Sequence, residues 1–195
     1  VPCISLSGNK AYYWSKYKHV RIDFDGLKER ILNSEWYRKG LQYHEYGHAK
    51  AALQGNWEGN ADFKNLYKSF FADYNKPEYR YVDGEGVSQW KIADRLSEEL
   101  KLVKDKTYDV MEQFGKISDT LQAIDKDHNW IQGMLGHEVD YFASSSHNCL
   151  AEIIAHLSEN YWSNNKYFKK VLPRLYNEAM ALYEKYYKLN KPTKR

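Results

Sequence analysis

Cysteine is scarce in this chain. Cys3 and Cys149 are its only two, far apart, and they provide no disulfide framework. Long apolar runs are missing too: no stretch approaches the roughly 20 residues that cross a bilayer, so the sequence reads as soluble, with no membrane partner. No signal peptide is visible, and the first residue is Val1 rather than Met, so an upstream segment is expected to have been removed. A strong charge of one sign is also lacking. The net charge of +3 is too small to imply a nucleic-acid partner. The basic residues are unevenly spread: nine of them, against two acidic ones, follow from Lys166 onward, which leaves the rest net acidic.

What is present suits a single domain over residues 1–195, with a helical insertion at about 56–135. Hydrophobic residues make up 43%, and 18 Tyr and 6 Trp add large groups that bury area while keeping a polar tip. The expected class is α+β and mainly helical, with a small N-terminal β element. Residues 3–7 and about 11–24 are rich in aromatic and β-branched side chains around a Gly8-Asn9 turn. Val20, Ile22 and Phe24 alternate with Arg21 and Asp23, the pattern of a half-buried strand.

A short helix is expected from Leu27 to about Leu32, then a longer one from about Glu35 to Gln54 capped by Ser34. Gly55 to Asn60 reads as a loop and Ala61 to Tyr74 as a helix. Lys76 through Gly86 is the clearest loop in the chain. From Trp90 to Ile124 there is no proline and one glycine. An unbroken 3-4 spacing from Ala93 to Ile124 predicts one long helix or a hairpin broken at Lys104–Lys106. Asp127 to Ser146 is loop-like, His147 to Trp162 helical. The last helix is expected over about 168–189, with Pro173 in or near its first turn. The apolar stripes of the 90–124 and 168–189 segments suit the core, and contact with a partner through either is the alternative. The basic face of the last helix reads as solvated.

His44-Glu45-Tyr46-Gly47-His48 carries the chemistry. Residues four apart share a helix face, so His44 and His48 can offer imidazole nitrogens to one ion. Glu45, one position round, can reach a water on that ion. This is the H-E-x-x-H pattern, in which two histidines bind zinc and the glutamate serves as general base. Tyr37, Leu41, His44 and His48 recur at helical spacing on an inward stripe. A catalytic zinc takes three protein ligands and keeps an open position. Glu152, His137, His147, His156 and Asp140 are the candidates for the third. Glu152 lies among apolar neighbours in Leu150-Ala151-Glu152-Ile153-Ile154-Ala155, where an unpartnered carboxylate would be costly. Cys149, Glu152, His156 and Glu159 share one face of that helix.

His44-Glu45-Tyr46-Gly47-His48, followed far downstream by a helical glutamate, resembles a glutamate-type zincin (gluzincin) metallopeptidase. With Gly136-His137, Tyr141-Phe142 and Ala151-Glu152-Ile153-Ile154-Ala155, it is similar to zincin-like domains of phage head proteins and polymorphic toxins. The resemblance implies Zn2+ bound by His44, His48 and Glu152, with Glu45 as base and a peptide or protein as substrate. It leaves the location open between virion-associated and secreted-effector settings. His156 stands where thermolysin-like members carry an acidic residue, and it is expected to steer a ligand by a hydrogen bond. Tyr141 and His137 are the candidate donors to the oxyanion. Two other readings stand beside the peptidase: a non-catalytic structural domain of a virion or effector protein, and a binding module built on the basic helix after Lys166.

Overall fold

The computed structural model describes residues 3–5, 11–53, 57–74, 80–82, 88–124, 137 and 149–189. Among these the protein is mainly helical, with a small three-stranded sheet near the N-terminus. Strand β1 (Cys3–Ser5) pairs in parallel with β3 (His19–Ile22), and β2 (Ala11–Trp14) pairs antiparallel with β3. The order β1-β3-β2 departs from a simple hairpin about Gly8-Asn9, two residues that lie outside the described set. The tight connection lies instead between β2 and β3. There a 3-10 turn, Ser15–Tyr17, ends on Lys18 in the left-handed conformation.

The expected alternation holds for two of its three residues. Val20 and Ile22 are fully buried, but Phe24 is exposed. The strand ends at Ile22 because Asp23 turns the chain: its Oδ1 accepts the Gly26 N–H at 2.9 Å. The inner face of the sheet (Ala11, Tyr13, Val20, Ile22) packs on Leu41, Tyr46 and Ala49.

Helix α1 (Lys28–Asn33) stops at Ser34, which is extended, and α2 (Glu35–Leu53) begins at once. Ser34 caps α2 as expected, its Oγ accepting the Tyr37 N–H at 2.7 Å. Such a cap is worth about 1 kcal/mol. The same hydroxyl donates to Asp109, which also accepts the Trp36 N–H at 3.3 Å, so the start of α2 is tied to a distant helix. A 3-10 turn at Trp57–Gly59 precedes α3 (Ala61–Tyr74). The stretch expected to be all loop carries β4 (Arg80–Val82), paired with β5 (Ser88–Trp90).

The long apolar segment is broken. Helix α4 (Lys91–Leu102) and α5 (Tyr108–Ile124) are separated at 103–107, a stretch containing Lys104, Asp105 and Lys106, and Thr107 Oγ1 accepts the Val110 N–H at 3.3 Å as a new cap. Helix α6 (Cys149–Trp162) follows, then a short α7 (Phe168–Val171) and α8 (Pro173–Leu189). The single last helix expected from the sequence is therefore two. Pro173 disfavours helical backbone at the preceding residue, and Leu172 sits at φ −124°, ψ 59°.

Helix α6 is central, packed against both α2 and α5. The main core gathers Leu96, Phe114, Ile117, Leu121, Leu157 and Leu175, among others, so the stripes of α4, α5 and α8 turn inward. A smaller cluster of Ala51, Trp57, Phe63, Ile154 and Tyr183 closes the C-terminal end of α2. No helix among the described residues is long and apolar enough to cross a membrane.

Candidate metal centre

The crossing of α2 and α6 sets the site, and two glycines set the crossing. A β-carbon on Gly47 would lie 2.7 Å from Ser158 Oγ and 3.0 Å from the Ala155 Cα. One on Gly40 would lie 2.8 Å from Glu159 Oε1. A glycine inside a helix costs about 1 kcal/mol against alanine. Here each removes a side chain that would hold the helices apart, and Gly40 and Gly47 are spaced two turns apart on the face that meets α6. Glu152 and Glu159 have the same spacing on α6.

At the crossing, His44 Nε2 lies 3.5 Å from Glu152 Oε2, and His48 Nε2 lies 3.6 Å from Glu152 Oε1. One ligand atom from each of His44, His48 and Glu152 falls within 4.8 Å of the others. Zinc–ligand bonds of about 2.0–2.1 Å place neighbouring tetrahedral ligands about 3.3–3.4 Å apart. Each imidazole nitrogen stands close to that separation from one of the two Glu152 oxygens, so the donor set suits such an ion. Glu152 Oε2 is buried and lacks a hydrogen-bonding partner among the described residues, as does Glu45 Oε2. These are atoms that an ion and its water would serve. His137 belongs to neither of the two candidate ligand clusters.

Glu159 is the residue the sequence reading left without a role. It is fully buried, and its Oε2 accepts the His156 Nδ1–H at 3.1 Å. The same oxygen lies 3.4 Å from His44 Nδ1, off the line of a good hydrogen bond. Carboxylates placed behind a ligating histidine fix its tautomer and raise its basicity. Glu159 thus stands beside His44, and His156 meets both, bonded to Glu159 and with its ring centre 4.7 Å from that of His44. The signal was available in the sequence: Glu159 follows Glu152 by two turns on the same face. His44, His156 and Glu159 form a second cluster within the same 4.8 Å span. Both ring Nδ1 atoms approach one carboxylate oxygen, and only that of His156 makes a hydrogen bond to it.

The electrostatics follow from burial and close charges. For His44, burial opposes the charged form, but Glu152 and Glu159 outweigh it and push its pKa up to about 10. Burial and the charge on His44 press His48 down to about 3. Burial would raise Glu152, but the close approach and charge of His44 hold it at about 2. Glu45, 5% exposed, is pushed up to about 7 by burial, with Glu152 and Glu159 adding to the effect. The charge on His44 and the main-chain N–H of Tyr13 in β2 act against that rise. A carboxylate with this proton affinity is matched to general-base work near neutral pH.

A second buried group lies behind, on α5. Asp119 Oδ1 accepts the His137 main-chain N–H at 2.7 Å, and its Oδ2 lies 3.1 Å from His137 Nδ1 and 3.4 Å from Lys116 Nζ. Lys116 and His137 hold the Asp119 carboxyl well below the usual range, despite burial. Sequence reasoning missed Asp119 and Lys116 because a lysine three residues from an aspartate on a helix looks like a surface ion pair. Tyr141, Asp140 and His147 lie outside the described residues. Comparison with protein-family models, with curated proteins and with solved structures finds no match.

Proposed function

We propose that the chain is a zinc-dependent peptidase of the zincin-like kind, with His44, His48 and Glu152 as ligands and Glu45 as general base. One observation carries this reading. The two imidazoles each approach an oxygen of one carboxylate at 3.5–3.6 Å, with an atom of each of the three groups within 4.8 Å of the others, beside the buried Glu45. Zinc held there supplies a Lewis acid and acidifies its water towards a pKa of about 7.

The chain's own residues divide the remaining tasks. Glu45 takes a proton from the attacking water and returns it to the leaving amine. Glu159 holds His44 so that its Nε2 faces Glu152. His137, anchored by Asp119, and Tyr141 are the candidate donors to the developing oxyanion. Strand β2 lies at the sheet edge among the described strands, and an extended peptide can pair with such an edge.

The test is a Glu45→Gln variant assayed against a broad peptide library. It keeps the metal and the fold and loses about 10²–10⁴-fold in cleavage. Undiminished cleavage would rule out the mechanism. A wild type that cleaves nothing in the library favours a structural domain of a virion or effector protein. The fully buried His156 and Glu159 behind His44 are what support that second reading.

A further inference from the structure

The first 22 residues contain no Asp or Glu, while Lys10, Lys16, Lys18 and Arg21 are all basic. Arg21 is held by both stacking and hydrogen bonds. On β3 it pairs with Tyr12 of β2, and both lie on the face of the sheet turned away from α2, since Tyr13 and Val20 face inward. Its guanidinium carbon sits 3.6 Å from the centre of the Trp14 ring. Its Nε donates to His19 Nε2 at 2.7 Å, and its Nη1 to the Tyr12 hydroxyl at 3.3 Å.

The tautomer of His19 is consistent with this chain of bonds. Its Nδ1–H donates to the Tyr17 carbonyl at 3.3 Å, leaving Nε2 as the acceptor that Arg21 uses. His19 is buried between Trp14 and Tyr17. Among the described residues Arg21 makes no ion pair, and its contacts there are the Trp14 ring, His19 and Tyr12. A guanidinium fixed by stacking and by its Nε side, with Nη2 bonded to no described residue, has donors left for a carboxylate.

We propose that Arg21 recognises an acidic side chain of an extended peptide lying along β2, with Tyr12 and Trp14 as the apolar floor beside it. The location selects the occupant. Strand β2 lies at the edge among the described strands and its Tyr13 N–H is spent on Glu45, so a peptide pairing through the remaining edge groups runs alongside the proposed metal centre. Successive side chains of such a peptide alternate between faces, and every second one falls on the face of Tyr12, Trp14 and Arg21. The peptide's route past Glu45 rests on the peptidase reading; the acidic preference does not.

The experiment measures binding separately from turnover. Zinc-loaded Glu45→Gln protein is titrated with a dye-labelled extended peptide carrying Glu at alternate positions, and with its Gln counterpart. The acidic peptide binds tenfold or more tightly, Arg21→Gln abolishes the difference, and Arg21→Lys keeps only part of it, because the charge remains but the fork is lost. Should Arg21→Gln fail to fold, the Glu-to-Gln comparison on the Arg21-containing protein decides alone. Equal affinity for the two peptides overturns the proposal, as does a preference that survives Arg21→Gln. Displacement of the peptide by a single-stranded oligonucleotide with steep salt dependence also overturns it, assigning the surface to nucleic acid. An acidic preference in a protein that cleaves nothing leaves this inference standing and the peptidase reading fallen. Cleavage without that preference does the reverse.

Discussion

Gly47 of α2 faces Ser158 of α6 so closely that a β-carbon on it would lie 2.7 Å from the serine oxygen. That contact is what brings Glu152 of one helix within 3.6 Å of His44 and His48 of the other. The glycine inside the His44–His48 motif therefore belongs to the packing that completes the site.

Gly47→Ala tests this. The substitution should gain about 1 kcal/mol of helix propensity. The added methyl group, however, meets the Ala155 backbone at 3.0 Å, which cannot move aside as a side-chain tip can. Overpacking of this kind costs about 1–3 kcal/mol, so the net effect is destabilising, with a thermal midpoint lower by several degrees and weaker zinc binding. Gly40→Ala meets side chains alone, the Glu159 carboxylate at 2.8 Å and the Trp36 ring at 3.4 Å. It should weaken zinc binding with a smaller loss of stability. A Gly47→Ala protein as stable as wild type with unchanged zinc affinity would show that the crossing is looser than described.

Glu159→Ala should weaken zinc binding by about 10–100-fold, the usual effect of removing a carboxylate behind a ligating histidine. Competition with a chelator of known affinity reads this out, and circular dichroism controls for folding. Zinc affinity equal to wild type in a folded Glu159→Ala protein would detach Glu159 from the site.

Zinc binding should also release a proton. In the metal-free protein His44 has a pKa raised to about 10, so at neutral pH it carries a proton that its Nε2 must lose before it can ligate. His48, pressed down to about 3, has none to lose. Apparent zinc affinity should therefore rise about tenfold per pH unit through the neutral range and flatten as pH passes the folded pKa of His44. Calorimetry in buffers of different ionisation enthalpy counts the proton directly. No buffer dependence at pH 7 would mean that His44 is already neutral.

Much of the frame was legible in the sequence because it rests on periodicity and punctuation. Ser34 announced the cap of α2, the 3-4 spacing gave α3, α5 and α6, and the alternation of Val20 and Ile22 gave the buried face of β3. What was not legible depends on tertiary geometry. The pairing of β1 with β3 joins segments whose local patterns carry no information about order. The break before α5 depended on how the segment holding Lys104–Lys106 packs, and an apolar stripe continues through both outcomes. Pro173 was read as tolerated in a first turn, but its effect on Leu172 makes it a boundary. At the site, the motif fixed two residues and their helix. The partners Glu159, Asp119 and Lys116 lie 68–115 residues further on, and single-sequence spacing cannot tell a buried charge from a solvated one.

Metal analysis of the purified chain beside its Glu152→Ala and His44→Ala variants tests the central claim most directly. The account predicts about one zinc per chain in the wild type, held by two imidazoles and one carboxylate, and loss of the metal in both variants. His137→Ala, a residue outside the ligand cluster, should keep its zinc. A wild type free of zinc, or Glu152→Ala protein at full occupancy while His137→Ala is stripped, would contradict it.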